Sequence, residues 1–508
     1  MMPRPVKTLY RARSVRTLGE PRSGEWILVD GRHVRRVGSG PPPGADRVVH
    51  LPGATLVPGM IDAHVHLGPT GLAIAQPEVA AARSAAQLLD IARAEASAGP
   101  ERVVLRGFDE SGWDDPSLPP IDALDGAVEV PLAIRRTDGH LALVNEAAIR
   151  AAELADLDGL ERDAQGRSTG VVRRAANERL GRWLVEQMSD LELQDAQLRG
   201  AALAASRGVT AVHEMAMSEE AGIRELQVFL EQRSRLPVDA LPIVATTDIA
   251  MAIDLGMSSV GGDLPVDGSI GARTAAVSGP YLDGDGDGTL YHADDELAEF
   301  FHGGHAAGLQ VGVHAIGDLA IEQVLRVWER VYASLDSRER RHFRARRHRI
   351  EHMVLASDAQ VERSAVLGLA ASVQPSFDLD WGAPGGLYAR RLGEARAAAA
   401  HPFRTMIDRG LEIGVGSDAP VTALDPWRTI HALEQHHDPA QRVTRVEAIR
   451  AHTRGSARLG HQEEKKGALD PGAHADLAAY QADPFEVEDV LGLAPILTIS
   501  LGREVFAS

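Results

Sequence analysis

The sequence predicts an α/β protein, a parallel β/α barrel carrying a small β domain, and three observations point there. Short apolar β-type runs alternate with helical stretches for most of the length, the pattern of parallel strands joined by helical crossovers. The two ends change texture, to short runs separated by Gly-rich turns. Four histidines and an aspartate stand where apolar runs end and loops begin, the edge at which β/α barrels keep their reactive groups.

In chain order, residues 1–58, with GEWILVDGRHVRRVGSG, read as short antiparallel strands. GALDPGAHADLAAYQAD (467–483) resumes that texture, so 1–58 and 461–508 are expected to pair into one β domain, with the barrel in 59–460. The run 55–61 is a strand that leads into IDAHVH (61–66). Further strand candidates are RVVLRG (102–107), VPLAIR (130–135), GVTAVHEM (208–215), LPIVAT (241–246), LQVGVHAIG (309–317), HRIEHM (348–353), LGLAASVQP (367–375) and LEIGVGSDAP (411–420). Alanine-rich amphipathic segments at 78–97, 191–207, 294–308 and 357–366 lie between them. Which runs supply barrel strands two to four stays open, and no internal repeat is evident.

A chain of 508 residues that is 44% hydrophobic can bury one large core or two. No stretch approaches about 18 consecutive apolar residues, so no transmembrane helix is expected. The basic first residues lack the continuous apolar core of a secretory signal, which makes a cytoplasmic location the expectation. The absence of cysteine excludes disulfides, thiolate metal sites and cysteine nucleophiles together. Any metal must therefore use nitrogen and oxygen ligands. A net charge of −19 opposes nucleic acid and anionic membranes and favours a small-molecule partner. It speaks for solubility and leaves homo-oligomer formation open.

His64 and His66 are two apart on a strand and share a face, with α-carbons roughly 6.5 Å apart, so both rings can reach one ion at about 2.0–2.1 Å. The alternative is two solvent-facing histidines on a half-buried strand. His314 in VGVHAIGD, His352 in RIEHM and Asp418 in GVGSDAP each follow an apolar run. Any one alone reads as a core or loop residue; five together at strand ends read as a metal site of nitrogen and oxygen donors.

PGMIDAHVHLG, HAIGD, RIEH and GSDAPV, in this order, resemble the metal-dependent amidohydrolase superfamily. RRTDGHLALVNEAAI (135–149), DGSIGARTAAV (267–277) and GSARLGHQEEKKGALDPGAHADLAAY (455–480) resemble its amidohydrolase family 3 branch, which includes N-substituted formamide deformylases. The resemblance implies a distorted (β/α)8 TIM-type barrel, a β-sandwich built from both termini, and hydrolysis at a mono- or dinuclear centre. It implies that His64, His66, His314, His352 and Asp418 are ligands. Two departures stand out. Many relatives bridge two metals with a carbamylated lysine on the fourth strand, but here that region reads VGGDLPVDGS (260–269), and the only lysines are Lys7, Lys465 and Lys466. Asp263 falls near the lysine position and could bridge instead, or be an ordinary loop acid; one ion is favoured and two are possible. Arg174, in TGVVRRAA (169–176), replaces an expected glutamate and is either a bidentate clamp for a substrate carboxylate or a solvated helix residue.

Zinc or a similar divalent ion lowers the pKa of bound water from 15.7 to about 7 and polarises a carbonyl. Asp418 is the candidate general base, passing the water proton to a leaving nitrogen. His140, in RTDGH, could donate to a developing oxyanion or merely cap a turn with Asp138. Asp138 and Trp113 (in GFDESGWDD) join Arg174 as substrate-binding candidates, with plain packing the alternative for the tryptophan. DGDGDG (283–288) matches the opening of a calcium loop, although Asp294 holds the twelfth position where glutamate is usual; a solvated turn is the alternative. EEKK (463–466) reads as a charged surface patch. The expected activity is metal-dependent hydrolysis of a non-peptide C–N bond, amide, N-acyl or N-formyl. An esterase or lactonase on the same barrel and a catalytically silent scaffold are the alternatives.

Overall fold

The run that ends in His64 and His66 becomes the first of eight parallel strands in a computed structural model that describes residues 6–217, 222–284 and 286–508. The strands are β1 (Met60–Val65), β2 (Val209–Met217), β3 (Asp239–Ala245), β4 (Ser259–Val260), β5 (Gln310–Ala315), β6 (Arg349–His352), β7 (Ala370–Val373) and β8 (Glu412–Val415), neighbours in that order. All are paired in parallel. Past the strand ends the ring is joined by backbone bonds from Asp418 to His64 (2.8 Å) and from His66 to Ala419 (3.0 Å). Helices such as Asp294–Ala306, Asp318–Ser334 and Asp358–Leu367 pack outside and enclose the aliphatic core.

The distortion has local causes. The pairing of β1 with β2 shifts register twice, and β4 stops after two residues because Gly261 and Gly262 both take positive φ, at 85° and 54°. A Cβ on Gly261 would meet the Gly312 carbonyl oxygen at 2.1 Å, so only glycine lets the chain turn there.

Both chain ends meet in one mixed seven-stranded sheet, in which Lys7–Arg16 runs parallel to Arg47–Pro58 while Leu477–Tyr480 pairs antiparallel with the same strand. A core of its own, including Tyr10, Ile27, Leu477 and Ile499, supports this small β domain. EEKK corrects one expectation: Lys466 is buried, 2.7 Å from Asp476 and 3.0 Å from Asp239 at the start of β3, and so ties sheet to barrel.

The runs at 102–107 and 130–135 are strands, but not barrel strands. Val103–Phe108 and Leu132–Arg136 pair with each other, and a hairpin through Gly139 (φ 72°) adds Ala142–Val144 antiparallel, opening a separate five-stranded sheet between β1 and β2. Two clusters of its own, one around Leu105 and Leu143, the other around Val144 and Leu180, make it self-supporting. Apolar periodicity identifies a buried strand without saying which sheet receives it. Among the described residues no helix is long and apolar enough to cross a membrane.

Candidate metal centre

Six expected ligands converge at the carboxyl ends of the barrel strands. His64 on β1 and His66 just beyond it bring their rings to a centroid separation of 5.5 Å at 77°. Nε2 of His64 lies 3.4 Å from Asp418 Oδ1 and 3.7 Å from Asp263 Oδ1, while Nε2 of His66 lies 3.3 Å from Asp418 Oδ1 and 3.5 Å from Asp263 Oδ2. On the far side Asp263 Oδ1 is 3.2 Å from His314 Nδ1 and 3.1 Å from His352 Nε2. Asp263 is thus the shared member. The glycine turn after β4 aims it into the ring.

The remote ring nitrogens set the tautomers. His66 Nδ1 donates to the Met215 carbonyl at 2.8 Å, His352 Nδ1 to Gln374 Oε1 at 2.8 Å, and His64 Nδ1 to Glu351 Oε2 at 3.0 Å. His314 uses Nε2 toward the Gly268 carbonyl at 3.3 Å, which leaves Nδ1 for the centre. With one nitrogen of each ring committed outward, the other presents a lone pair inward.

Three triads, His64/His66/Asp263, His64/His352/Asp418 and Asp263/His314/His352, each hold their ligand atoms within 4.8 Å of one another. His64 Nε2 and Asp418 Oδ1 are buried with no hydrogen-bond partner although they face each other. Such orphaned donors fit a cation bound between them. Burial alone would push the His66 ring toward neutrality, but Asp263 and Asp418 raise its pKa to about 10. Burial likewise pushes the His64 ring down, and the same two carboxylates overcome it and hold its pKa well above the usual imidazole value. Against burial, the neighbouring histidines hold Asp263 and Asp418 well below the carboxylate range. Asp418 (φ 55°) and His352 (φ 69°) adopt left-handed backbone, a strained conformation for these residues that brings both side chains to the centre.

The centre opens into a cavity of about 410 Å3. Phe377, Trp381 and Tyr388 form an aromatic wall, and Leu184, Met188 and Phe229 line another part. His140 enters the cavity with its ring centroid 5.6 Å from that of His314, and Arg174 is at the lining with its guanidinium 3.1 Å from Thr289 Oγ1. Glu214, buried beside this space and accepting the Leu67 N–H at 2.8 Å, is raised to about 8 by burial.

One substrate-binding expectation needs correction. Trp113 does not line the cavity: it packs on Phe108 in the core of the five-stranded sheet, and its indole N–H donates to the Ala82 carbonyl at 2.9 Å. Asp138 lines the cavity, but its oxygens are occupied by Arg136 (2.8 Å), Ser269 (2.7 Å) and the His140 N–H (3.2 Å). It holds the His140 turn. In the acidic loop Asp283 is forked by Arg273 and Asp294 by Arg326, while Asp285 lies outside the described residues.

Sequence reasoning missed the floor beneath the centre. Arg349 and Glu351 alternate on β6 and are both enclosed, with His213 beside them. Their signal was present in HRIEHM: two opposite charges two apart, hence on one face, in a run otherwise fit for burial. Against burial, the Arg349 guanidinium and the His64 hydrogen bond hold the Glu351 carboxyl down at about 2.

A model of the amidohydrolase family matches residues 47–506. The chain is 27% identical to Protein LONG AFTER FAR-RED 3 of Arabidopsis thaliana over 479 residues, covering 86% of this chain and 80% of that one. It is 24% identical to the N-substituted formamide deformylase of Arthrobacter pascens over 527 residues, 93% of each. The solved structure of an uncharacterized metal-dependent hydrolase from Pyrococcus horikoshii OT3 has the same fold, with a TM-score of 0.75 at 23% identity, covering 95% of this chain and 99% of that one.

Proposed function

The chain belongs to the amidohydrolase family and is a metal-dependent hydrolase, and from that premise we propose that it cleaves an amide, N-acyl or N-formyl C–N bond outside peptides. One observation carries the reading: four histidines and Asp418 converge on Asp263 at the floor of a largely apolar cavity, with His64 Nε2 and Asp418 Oδ1 otherwise unpartnered. A convergent donor set of this completeness speaks against a silent scaffold.

Zinc is the ion we favour for this all-nitrogen-and-oxygen set, and when bound it supplies acidified water and Lewis polarisation of the scissile carbonyl. One ion was the expectation with two possible, and the placement of Asp263 supports the second reading. Asp263 turns Oδ2 toward His66 and Oδ1 toward His64, His314 and His352, so its carboxylate could serve a second ion as well as a first. His64, His66, Asp263, His314, His352 and Asp418 would together hold the metal.

Asp418 acts as general base, taking the proton of the attacking water and delivering it to the departing nitrogen. His140, fixed by Asp138, donates to the oxygen that gains charge. The aromatic wall takes an apolar substituent of the substrate, and Arg174 at the rim receives a carboxylate where the substrate carries one. The deformylase relative makes N-formyl amines the first compounds to try.

Metal analysis of protein purified without chelator, followed by a panel of N-formyl and N-acyl amines set beside matched esters, tests this. Two ions per chain with amide turnover is the expected result. Ester hydrolysis without amide hydrolysis would change the bond, and no metal after reconstitution would remove the reading.

A further inference from the structure

We infer that Glu351, clamped by Arg349, is a positioning residue of the metal centre: its carboxylate keeps the proton of His64 on Nδ1 and so presents Nε2 as an anionically backed donor. The inference rests on the metal-centre reading above.

Five bonds define the device. Arg349 Nε donates to Glu351 Oε1 at 2.7 Å and its terminal nitrogen to Oε2 at 2.9 Å, a fork that leaves the carboxylate one orientation. The same nitrogen donates to the Ala63 carbonyl at 2.8 Å, and the other terminal nitrogen meets His213 Nδ1 at 3.0 Å. Because a guanidinium only donates, His213 accepts at Nδ1, and its proton is on Nε2. Glu351 Oε2, held from below, accepts from His64 Nδ1 at 3.0 Å.

Stability does not explain why an ion pair occupies the barrel interior. Arg349 and Glu351 are 1% and 0% exposed, and packed apolar residues of similar volume would serve such a layer as well or better. Direction does explain it. His66 and His352 rest on a neutral carbonyl and a neutral amide, and His314 on a carbonyl, whereas His64 alone among the four has a carboxylate at hydrogen-bond distance from its remote nitrogen. A carboxylate behind an imidazole raises its basicity and locks its tautomer.

The test is cobalt(II) titration, with a competing chelator, into metal-depleted wild-type protein, Glu351→Gln and the double variant Arg349→Met/Glu351→Gln. Glu351→Gln leaves Arg349 buried without a counter-charge; the double variant removes both charges and keeps the result readable if the single variant does not fold. Both variants are expected to bind one of the two ions about 10–100-fold more weakly than wild type while retaining the other. Proton NMR of the zinc-loaded proteins supplies a readout that packing alone would not move: a strongly downfield imidazole N–H signal in wild type, lost or shifted upfield without the carboxylate. A folded variant that binds both ions as tightly as wild type, or keeps the downfield signal, overturns the inference. Wild-type protein that takes up no cobalt at all removes the metal-centre reading itself, a different failure from equal affinities.

Discussion

Among the buried charge networks of the described residues, two are built on different plans. Beneath the metal centre one arginine faces one glutamate, both enclosed, and the pair ends on an imidazole. At the seam between the five-stranded sheet and the barrel, Arg136 is fully buried among Asp109, Glu110 and Asp138, all at 2.8–2.9 Å, and Arg391 returns to Glu110 from the chain beyond β7. The first network ends on His64, a candidate ligand. The second joins distant stretches of chain, since Asp138 also bonds Ser269 and Arg391 reaches the Gly271 carbonyl. Buried charge therefore marks function in one place and assembly in the other, and its endpoints distinguish the two.

The sharpest way to separate the regions is to disable the centre without touching the seam. Asp418→Asn should lower kcat by about 10²–10⁴-fold through loss of the general base, with unfolding temperature in the metal-loaded protein little changed. Its complement breaks the seam: Arg136→Met leaves three carboxylates without their partner and should cost about 3–5 kcal/mol in denaturant unfolding, while metal content stays at the wild-type value. A metal content that fell with Arg136→Met would mean the two networks are one.

Protons sharpen the comparison further. His66 is raised from 6.5 to about 10 in the folded protein, so stripped of metal the native state holds a proton that the unfolded chain releases. Stability from that group is complete below pH 6.5 and is lost as pH climbs toward 10, by up to about 1.4 kcal/mol per pH unit. Glu214, raised from 4.5 to about 8, acts in the same direction between those values. Unfolding temperature of chelator-treated protein should fall with pH across this span, and metal-loaded protein should show a shallower slope because ions replace the protons. The smallest effect is expected at Trp113. Trp113→Phe removes the bond to Ala82 and should cost about 1 kcal/mol, with KM unchanged because the residue is remote from the cavity.

Much of this candidate centre was legible in the sequence because its candidate ligands stand at strand ends, a local feature. His64, His66, His314, His352 and Asp418 each close an apolar run, and a strand end is a local property. Asp263 was ambiguous because a short strand and a Gly-Gly turn give no periodic signal; its position depends on positive φ at Gly261 and Gly262. Trp113 was misplaced because its hydrogen-bond partner, 31 residues away, is invisible to local pattern.

The sequence by itself determined that parallel strands alternate with helices, that both ends share a β texture, that no thiolate or carbamylated lysine can serve the barrel, and which imidazoles and carboxylates stand at strand ends. Those follow from residue type and period. The tertiary structure alone decided that the runs at 103–108 and 132–136 leave the barrel, that Asp263 stands between the two halves of the ligand set, and that Arg349 and Glu351 lie under His64. Each of these is a contact between residues far apart in the chain, and such contacts are chosen by the closure of the whole ring of strands, which no single segment encodes.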